Sequence, residues 1–159
     1  MLRKARIGDV KTIHRLINIS SGKGEMLPRS LMDIYGCLRD FFVYADDGEG
    51  FGKDEEAPII GICAMSIIWE NLAEIRSLYV DEERRRAGIG RKLVEACISE
   101  AITLEIFRVF TLTYKRDFFR VLNFKDVDRL TLPEKIWSDC FRCSKYPDFC
   151  DETALILEL

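Results

Sequence analysis

The chain of 159 residues, 48% of them hydrophobic, is long enough for one domain with a substantial core and too apolar to be disordered. Its 24 basic and 27 acidic side chains leave a formal charge of −3, which argues against a broad basic face for nucleic acid. MLRKARIGD lacks an apolar signal-peptide core, and the longest nearly apolar run, PIIGICAMSIIW at 58–69, is too short to span a bilayer, so a cytoplasmic protein with no nucleic-acid or membrane partner is expected.

In chain order, LRKARI at 2–7 reads as a first strand, and Asp9 is suited to cap a helix carrying Val10, Ile13, Leu16 and Ile17. His14, the only histidine, sits on the flank of that helix without a nucleophile near it in sequence, so a surface or packed side chain is preferred over a base. SSGKGE at 20–25 reads as a loop, residues 30–38 as a second helix, and FFVYA at 41–45 as a strand. DDGEGFGKDEEAP at 46–58 is acidic, glycine-rich and without periodicity, the pattern of a solvated hairpin connection. Strands follow at 59–69 and 73–80, then a helix at 89–103 and a strand at 107–113. Residues 114–122 form a short helix with Phe118, Phe119 and Leu122 on its apolar face. FKDVDRL continues as a strand, and the C-terminal ALILEL is placed to close the sheet edge. The strand–helix–strand crossover over 73–113 implies a parallel pair inside an otherwise antiparallel sheet, with helices flanking it, a mixed α/β (α+β) fold.

The segment from Val80 to Leu93 carries the strongest chemical signal. An alternating apolar strand, LAEIRSLYV, runs into an arginine-rich turn with Gly88 and Gly90, and then into a helix spaced by Leu93, Val94, Cys97, Ile98 and Ala101. The first N–H groups of a helix have no intrahelical partner and point at whatever occupies the loop before it. The glycines admit a pyrophosphate close to the backbone, and Arg84, Arg85, Arg86 and Arg91 supply positive charge. The alternative is an exposed basic turn with a flexible helix start. Spaced glycines alone would favour that, but the order strand, arginines, glycines, helix favours a phosphate site.

Of six cysteines, Cys37, Cys63 and Cys97 fall within apolar patterns, while Cys140, Cys143 and Cys150, flanked by Asp139, Asp148 and Asp151, have a spacing able to hold a metal. Three sulfur ligands leave a zinc site incomplete, and a reduced packing or substrate-side loop is the preferred reading, with no metal assigned.

R85-x-x-G88-x-G90 after the strand ending at Val80 resembles the acetyl-coenzyme-A-binding signature of the GNAT superfamily of N-acetyltransferases. LPRS at 27–30, RDFFV at 39–43, AEIRSLYV at 73–80, LTYKRDFFRVLNF at 112–124 and LPEKIWSDCFRC at 132–143 extend the likeness over nearly the whole chain, to single-domain amino-acid N-acetyltransferases of the N-acetylglutamate synthase type. The resemblance implies the acyl-CoA N-acyltransferase fold in one domain over 1–159, with a cysteine-containing C-terminal segment at 137–151. It also implies that the parallel strands at 73–80 and 107–113 splay to admit the pantetheine arm. Acetyl-CoA is then the donor, held by Leu78, Tyr79, Val80, Arg85, Arg86, Ala87, Gly88, Ile89, Gly90 and Arg91, with Phe119 packing against the cofactor arm or the core. The backbone N–H groups near Leu78 to Val80 are the expected donors to the acetyl oxygen. Glu74 matches the general base of histone-type members, and its alternative is a solvent-facing strand glutamate.

One departure changes the expected proton path. Where many relatives have a tyrosine five residues before the phenylalanine of their final Gly-Phe pair, this chain has Phe119, and Asn123 replaces the glycine. Water can then protonate the leaving thiolate, with Tyr114 or Tyr79 as weaker substitutes. For the acceptor, Arg29 in LPRS and the Arg142–Ser144 pair match substrate-binding positions of N-acetylglutamate synthases. Arg76, on the face of Glu74 by strand periodicity, and Lys115 are further candidates. The expected reaction is N-acetylation of L-glutamate or another small amino acid for arginine biosynthesis, in a possible homodimer. No kinase-type regulatory domain is expected. Acetylation of another small amine or a peptide terminus, and a non-catalytic acyl-CoA-binding module, remain the alternatives.

Overall fold

Period-two and period-3.6 patterns resolve into seven strands in one sheet, ordered β1-β2-β3-β4-β5-β7-β6, in a computed structural model that describes residues 1–48, 56–132 and 152–159. The strands are β1 (Leu2–Lys4), β2 (Phe41–Ala45), β3 (Ile59–Trp69), β4 (Leu72–Val80), β5 (Arg108–Thr113), β6 (Lys125–Asp126) and β7 (Thr153–Glu158). The helices are α1 (Val10–Gly22), α2 (Leu31–Gly36), α3 (Ile89–Thr103) and α4 (Arg116–Val121). β4 and β5 run parallel, whereas β1–β2, β2–β3, β5–β7 and β6–β7 are antiparallel, which is the expected mixed sheet with flanking helices. The chain divides into a first unit, Met1–Met65 with Ser77–Ser99, and a second, Ser66–Arg76 with Glu100–Leu159.

In the first unit the apolar stripe of α1, Val10, Ile13, Leu16 and Ile17, packs with Ile34, Phe41, Val43, Ile59, Ile62, Ala64 and Tyr79. Burying each large aliphatic or aromatic side chain contributes about 1.5–3 kcal/mol, and this cluster supplies the unit's main stabilisation. The run from Ile59 to Ser66 is buried at every position, as a strand covered on both faces must be, and this is why it reads as a continuous apolar block instead of an alternation. The first strand ends at Lys4, earlier than its sequence pattern suggests. The Asp9 carboxylate accepts from the Arg6 N–H at 2.7 Å and from Arg3 at 2.7 and 3.0 Å, so it caps a 3-10 turn at Ile7–Asp9 and not α1. The segment 20–25 is not all loop: α1 continues to Gly22 and closes through Gly24 at φ 73°, with the Glu25 N–H on the Ser20 carbonyl at 3.0 Å. α2 is shorter than the predicted 30–38, because after Gly36 the chain tightens into a 3-10 turn at Leu38–Asp40. Ser30 starts it, accepting from the Asp33 N–H at 3.1 Å while the Asp33 carboxylate accepts from the Ser30 N–H at 3.3 Å. Of the connection at 46–58, residues 49–55 lie outside the described residues.

In the second unit the core forms from Leu72, Phe110, Leu132 and Ala154, with Ile68, Leu112, Val127 and Ile156 packed against it. The C-terminal strand is not the sheet edge. It inserts between β5 and β6, pairing Arg108–Thr113 with Glu158–Thr153 on one side and Lys125–Asp126 with Ile156–Leu155 on the other. FKDVDRL yields only the two-residue β6, because Asp128 accepts from the Leu130 N–H at 2.9 Å and turns the chain into a 3-10 helix at Arg129–Thr131. α4 is likewise shorter than 114–122, since the Thr113 hydroxyl accepts from the Lys115 N–H at 2.9 Å before the helix begins.

Candidate functional site

In the first unit the segment Ser77–Arg91 forms a strand end, a turn and a helix start. Asp81 leaves the sheet with its N–H on the Ile60 carbonyl at 2.9 Å, and a 3-10 turn follows at Glu82–Arg84. After extended Arg85, Arg86 and Gly88 take left-handed backbone, φ 67° and 79°, a turn of the kind suited to an anion-binding nest ahead of α3. A Cβ built on Gly88 meets nothing within 4 Å, so the space in front of the helix is open to a ligand. The Lys92 N–H is taken by the Gly88 carbonyl at 3.1 Å, and the N–H groups of Ile89, Gly90 and Arg91 precede it in the first turn of α3. Such a nest joined to a 15-residue helix is suited to a pyrophosphate.

Packing fixes the helix against its strand. Ile89, Leu93, Val94 and Cys97 are buried, and the ideal Cβ position of Gly61 in β3 lies 3.0 Å from Leu93 Cδ1, 3.1 Å from Ile89 Cγ2 and 3.3 Å from the Tyr79 carbonyl. A side chain here would be crowded by the helix start and by the Tyr79 carbonyl. Sequence reading passed over Gly61, although a glycine within an apolar strand is the signal of close backbone approach.

The arginines divide by their partners. Arg84 is paired with Asp46 at 2.6 Å and Arg91 with Glu95 at 2.7 Å, while the Arg85 Nε–H donates to the Val80 carbonyl at 3.3 Å. Arg86, exposed and held in the left-handed region inside the nest, is the arginine best disposed toward an anion. Tyr79 is buried, and that burial, then its hydrogen bond with Asp81, push its phenol above the ordinary value of 10.0. It is therefore a poor acid for a leaving thiolate. Leu78 is half-buried and Val80 and Ile89 are buried, whereas Ala87 and Gly88 are exposed.

In the second unit, β4 and β5 pair in parallel only at Ala73–Val109 and Glu74–Phe110. One step on, the Thr111 hydroxyl donates to the Ile75 carbonyl at 2.9 Å, a side chain doing what backbone pairing does elsewhere. Glu74 is 3% exposed, so it is not a solvent-facing strand glutamate. Arg76, two residues on, is half-buried, and Ser77 then takes φ 55°, an unusual conformation for a non-glycine strand residue. Phe119 is 2% exposed and packs edge-on against Phe118 and Phe124, at centroid distances of 5.1 and 5.2 Å, which makes it a core residue of this unit. Lys115 is exposed at the start of α4, and Tyr114 is 38% exposed.

Arg29 is half-buried in the first unit, immediately before the cap of α2. His14 is half-buried with Nε2 3.3 Å from Asn18 Nδ2, a packed side chain as expected. Arg142, Ser144, Cys140, Cys143 and Cys150 lie outside the described residues. Among the described residues there is no group of three or more His, Cys, Asp or Glu able to hold a metal, and no helix long and apolar enough to cross a membrane.

Comparison with known proteins adds relatives to this geometry. The acetyltransferase (GNAT) family profile matches residues 14–124. An uncharacterized N-acetyltransferase of Chlorobaculum tepidum is 40% identical over 160 residues, covering 99% of this chain and 96% of its own length. An amino-acid acetyltransferase of Mycobacterium tuberculosis is 29% identical over 142 residues, 89% of this chain and 78% of the relative. Among solved structures, Rv2747 of Mycobacterium tuberculosis, in complex with CoA and a second ligand, aligns with a TM-score of 0.81 at 26% identity, covering 100% of this chain and 99% of that one. The N-acetylglutamate synthase of Neisseria gonorrhoeae, complexed with coenzyme A and N-acetyl-glutamate, aligns at 0.82 and 22% identity, with 100% of this chain covering 35% of that one. At that identity the likeness is one of fold.

Proposed function

The chain belongs to the acetyltransferase (GNAT) family, and we propose that it transfers the acetyl group of acetyl-CoA to the amine of L-glutamate, forming N-acetyl-L-glutamate for arginine biosynthesis. The observation that carries the reading is the anion nest of Arg86 and Gly88 opening α3, at the end of the same strand that holds Glu74 at 3% exposure. When bound, acetyl-CoA supplies an activated thioester with a tolerable leaving group.

The chain's residues do the rest. The first-turn N–H groups of α3, with Arg85 and Arg86, hold the pyrophosphate. Glu74 accepts a proton from the acceptor ammonium, directly or through a water, and the free amine attacks the thioester carbon; as the C–S bond breaks, the nitrogen gives up its surplus proton to water. Backbone N–H groups over Leu78–Val80 donate to the acetyl oxygen, and water protonates the thiolate, since Phe119 has no proton to give and the Tyr79 phenol is a poor acid. Arg29, Arg76 and Arg142 are the proposed forks for the two carboxylates of glutamate, with Ser144 and Lys115 as further candidate contacts, a reading that rests on their residue types and the family resemblance. The acceptor assignment rests on those arginines and on the relative named an amino-acid acetyltransferase at 29% identity.

A steady-state screen of thiol release from acetyl-CoA, run with each amino acid and an N-terminal peptide, tests the acceptor. Glutamate is expected to be preferred and glutamine to be poor; equal use of the two sinks the dicarboxylate assignment in favour of a general amine acetyltransferase. Glu74→Gln tests the base: kcat at neutral pH is expected to fall on the order of tenfold to a thousandfold, recovering in part at high pH, with acetyl-CoA affinity retained. An unchanged kcat at pH 7 would remove Glu74 from that role.

A further inference from the structure

The turn that would hold the pyrophosphate has almost no core of its own. Between buried Val80 and buried Ile89, residues Glu82–Gly88 are all exposed, yet they must keep both Arg86 and Gly88 in the left-handed region. Apolar burial therefore cannot set the shape of this segment. The bonds within reach include the Arg84 N–H on the Asp81 carbonyl at 2.9 Å, a longer Arg85 N–H to Glu82 at 3.4 Å and the Arg85 Nε–H on the Val80 carbonyl at 3.3 Å, and to these are added charges reaching in from outside.

Those charges arrive at both ends of the 3-10 turn. Lys23 Nζ donates to Glu82 Oε1 at 2.7 Å, and Arg84 donates to Asp46 Oδ2 at 2.6 Å. Both outer partners are anchored by their backbones. Lys23 ends α1 with its N–H on the Ser20 carbonyl at 3.1 Å, just before the left-handed Gly24. Asp46 follows β2 with its N–H on the Pro58 carbonyl at 2.8 Å, and its other carboxylate oxygen accepts from the Gly48 N–H at 3.2 Å. Its side chain is 15% exposed against 52% for that of Arg84, so the carboxylate end of the pair is shielded from water and salt while the guanidinium end is open.

The geometry points to Asp46 and Lys23 as positioning residues for cofactor binding: they clamp Glu82 and Arg84 so that Arg85, Arg86 and the α3 N–H groups are presented already aligned to the pyrophosphate. Arg84, although first in the arginine run, is then a strut and not a phosphate ligand. The inference rests on the reading of this turn as the pyrophosphate site. A preformed turn binds without the conformational cost that a loose one incurs, so the clamp acts on acetyl-CoA affinity and leaves the chemical step alone.

The test is calorimetric titration with CoA together with steady-state kinetics. Asp46→Asn and Lys23→Gln are each expected to weaken CoA binding about three- to tenfold and to raise KM for acetyl-CoA alike, with kcat and the acceptor KM unchanged. The sign is informative for Asp46. If Arg84 were a phosphate ligand restrained by Asp46, Asp46→Asn would tighten CoA binding, and that result overturns the clamp. For the exposed pair, Lys23→Glu and Glu82→Lys should each weaken binding while the double reversal restores it. Strictly additive effects would mean a long-range charge effect and would sink the proposal. A parent that binds CoA, with variants that bind equally well, overturns the clamp alone; a parent that fails to bind CoA overturns the pyrophosphate reading and the clamp with it.

Discussion

Ser77, Arg86, Glu105 and Asn123 all adopt left-handed backbone without being glycine, at φ 55°, 67°, 60° and 69°, and they do so for two different reasons. Glu105 and Asn123 end helices. The Ile106 N–H reaches the Ala101 carbonyl at 2.8 Å, and the Phe124 N–H reaches the Phe119 carbonyl at 3.1 Å, each closing a turn in which the residue before it must be left-handed. Asn123 suits this position, because asparagine tolerates that region best after glycine. Glutamate does not, and no such helix-ending role is seen for Ser77 in β4 or Arg86 in the nest, where strain sits at the proposed site. Glu105→Gly is therefore expected to stabilise the protein by up to about 1 kcal/mol, raising Tm by roughly 2–4 °C, with acetyltransfer unaltered. A thermal melt showing no gain would mean that the glutamate side chain contributes as much as its backbone costs.

At the scale of elements, the site depends on how α3 meets β3. Gly61→Ala would bring a methyl within 3.3 Å of the Tyr79 carbonyl, and backbone, unlike the ends of Leu93 and Ile89, cannot swing away. The end of β4 at Tyr79 must give way by a few tenths of an ångström, at a cost of about 1–3 kcal/mol, and since the turn before α3 hangs from that strand end, CoA affinity should fall with it. Gly88→Ala meets no atom but must hold φ 79°, costing about 1 kcal/mol and filling the space before the helix. Both should weaken CoA binding more than Arg91→Ala, whose guanidinium is already on Glu95. Calorimetric titration that ranked Arg91→Ala as the most damaging would show charge, and not backbone approach, to dominate. These elements were legible because their patterns are long: FFVYA, the 59–69 block, LAEIRSLYV and the 89–103 helix lie where the sequence puts them, to within a residue. Short elements were less so. Asp9 is bound by Arg3 and Arg6 instead of capping α1, and β7 lies inside the sheet because β6, read as a strand but only two residues long, pairs with its outer side, a pairing no spacing reveals. In the site, the loop was legible from its glycines and arginines, but Gly61 and Asp46 act through tertiary neighbours that spacing does not reveal, and the left-handed backbone of Ser77 has no signal in its residue type.

For the whole molecule, buried titratable groups set the pH range in which the fold holds. Burial pushes the Asp9 carboxyl up, but hydrogen bonds from Arg3 and the Arg6 N–H outweigh it and leave the group below its ordinary 3.8. Its contribution is present above about pH 4 and is lost as pH falls through its folded value. Cys63 works at the other limit. The neighbouring Cys97 thiol, 3.6 Å away, and then full burial push the Cys63 thiol well above 9.0. An unfolded chain loses that proton first, so the stability is intact below pH 9 and is lost as pH rises, at up to about 1.4 kcal/mol per pH unit for the one group. Tyr79, raised above 10.0 chiefly by burial, extends the same decline to higher pH. Tm is thus expected to be nearly flat from pH 5 to 8 and to fall on the alkaline side. Cys63→Ala isolates the cause: the small cavity it leaves should lower Tm at pH 7, yet its decline between pH 8 and 10 should be shallower than the parent's, because one buried proton no longer has to be held. Parallel alkaline declines in the two proteins would mean that other groups, and not this buried thiol, set the limit.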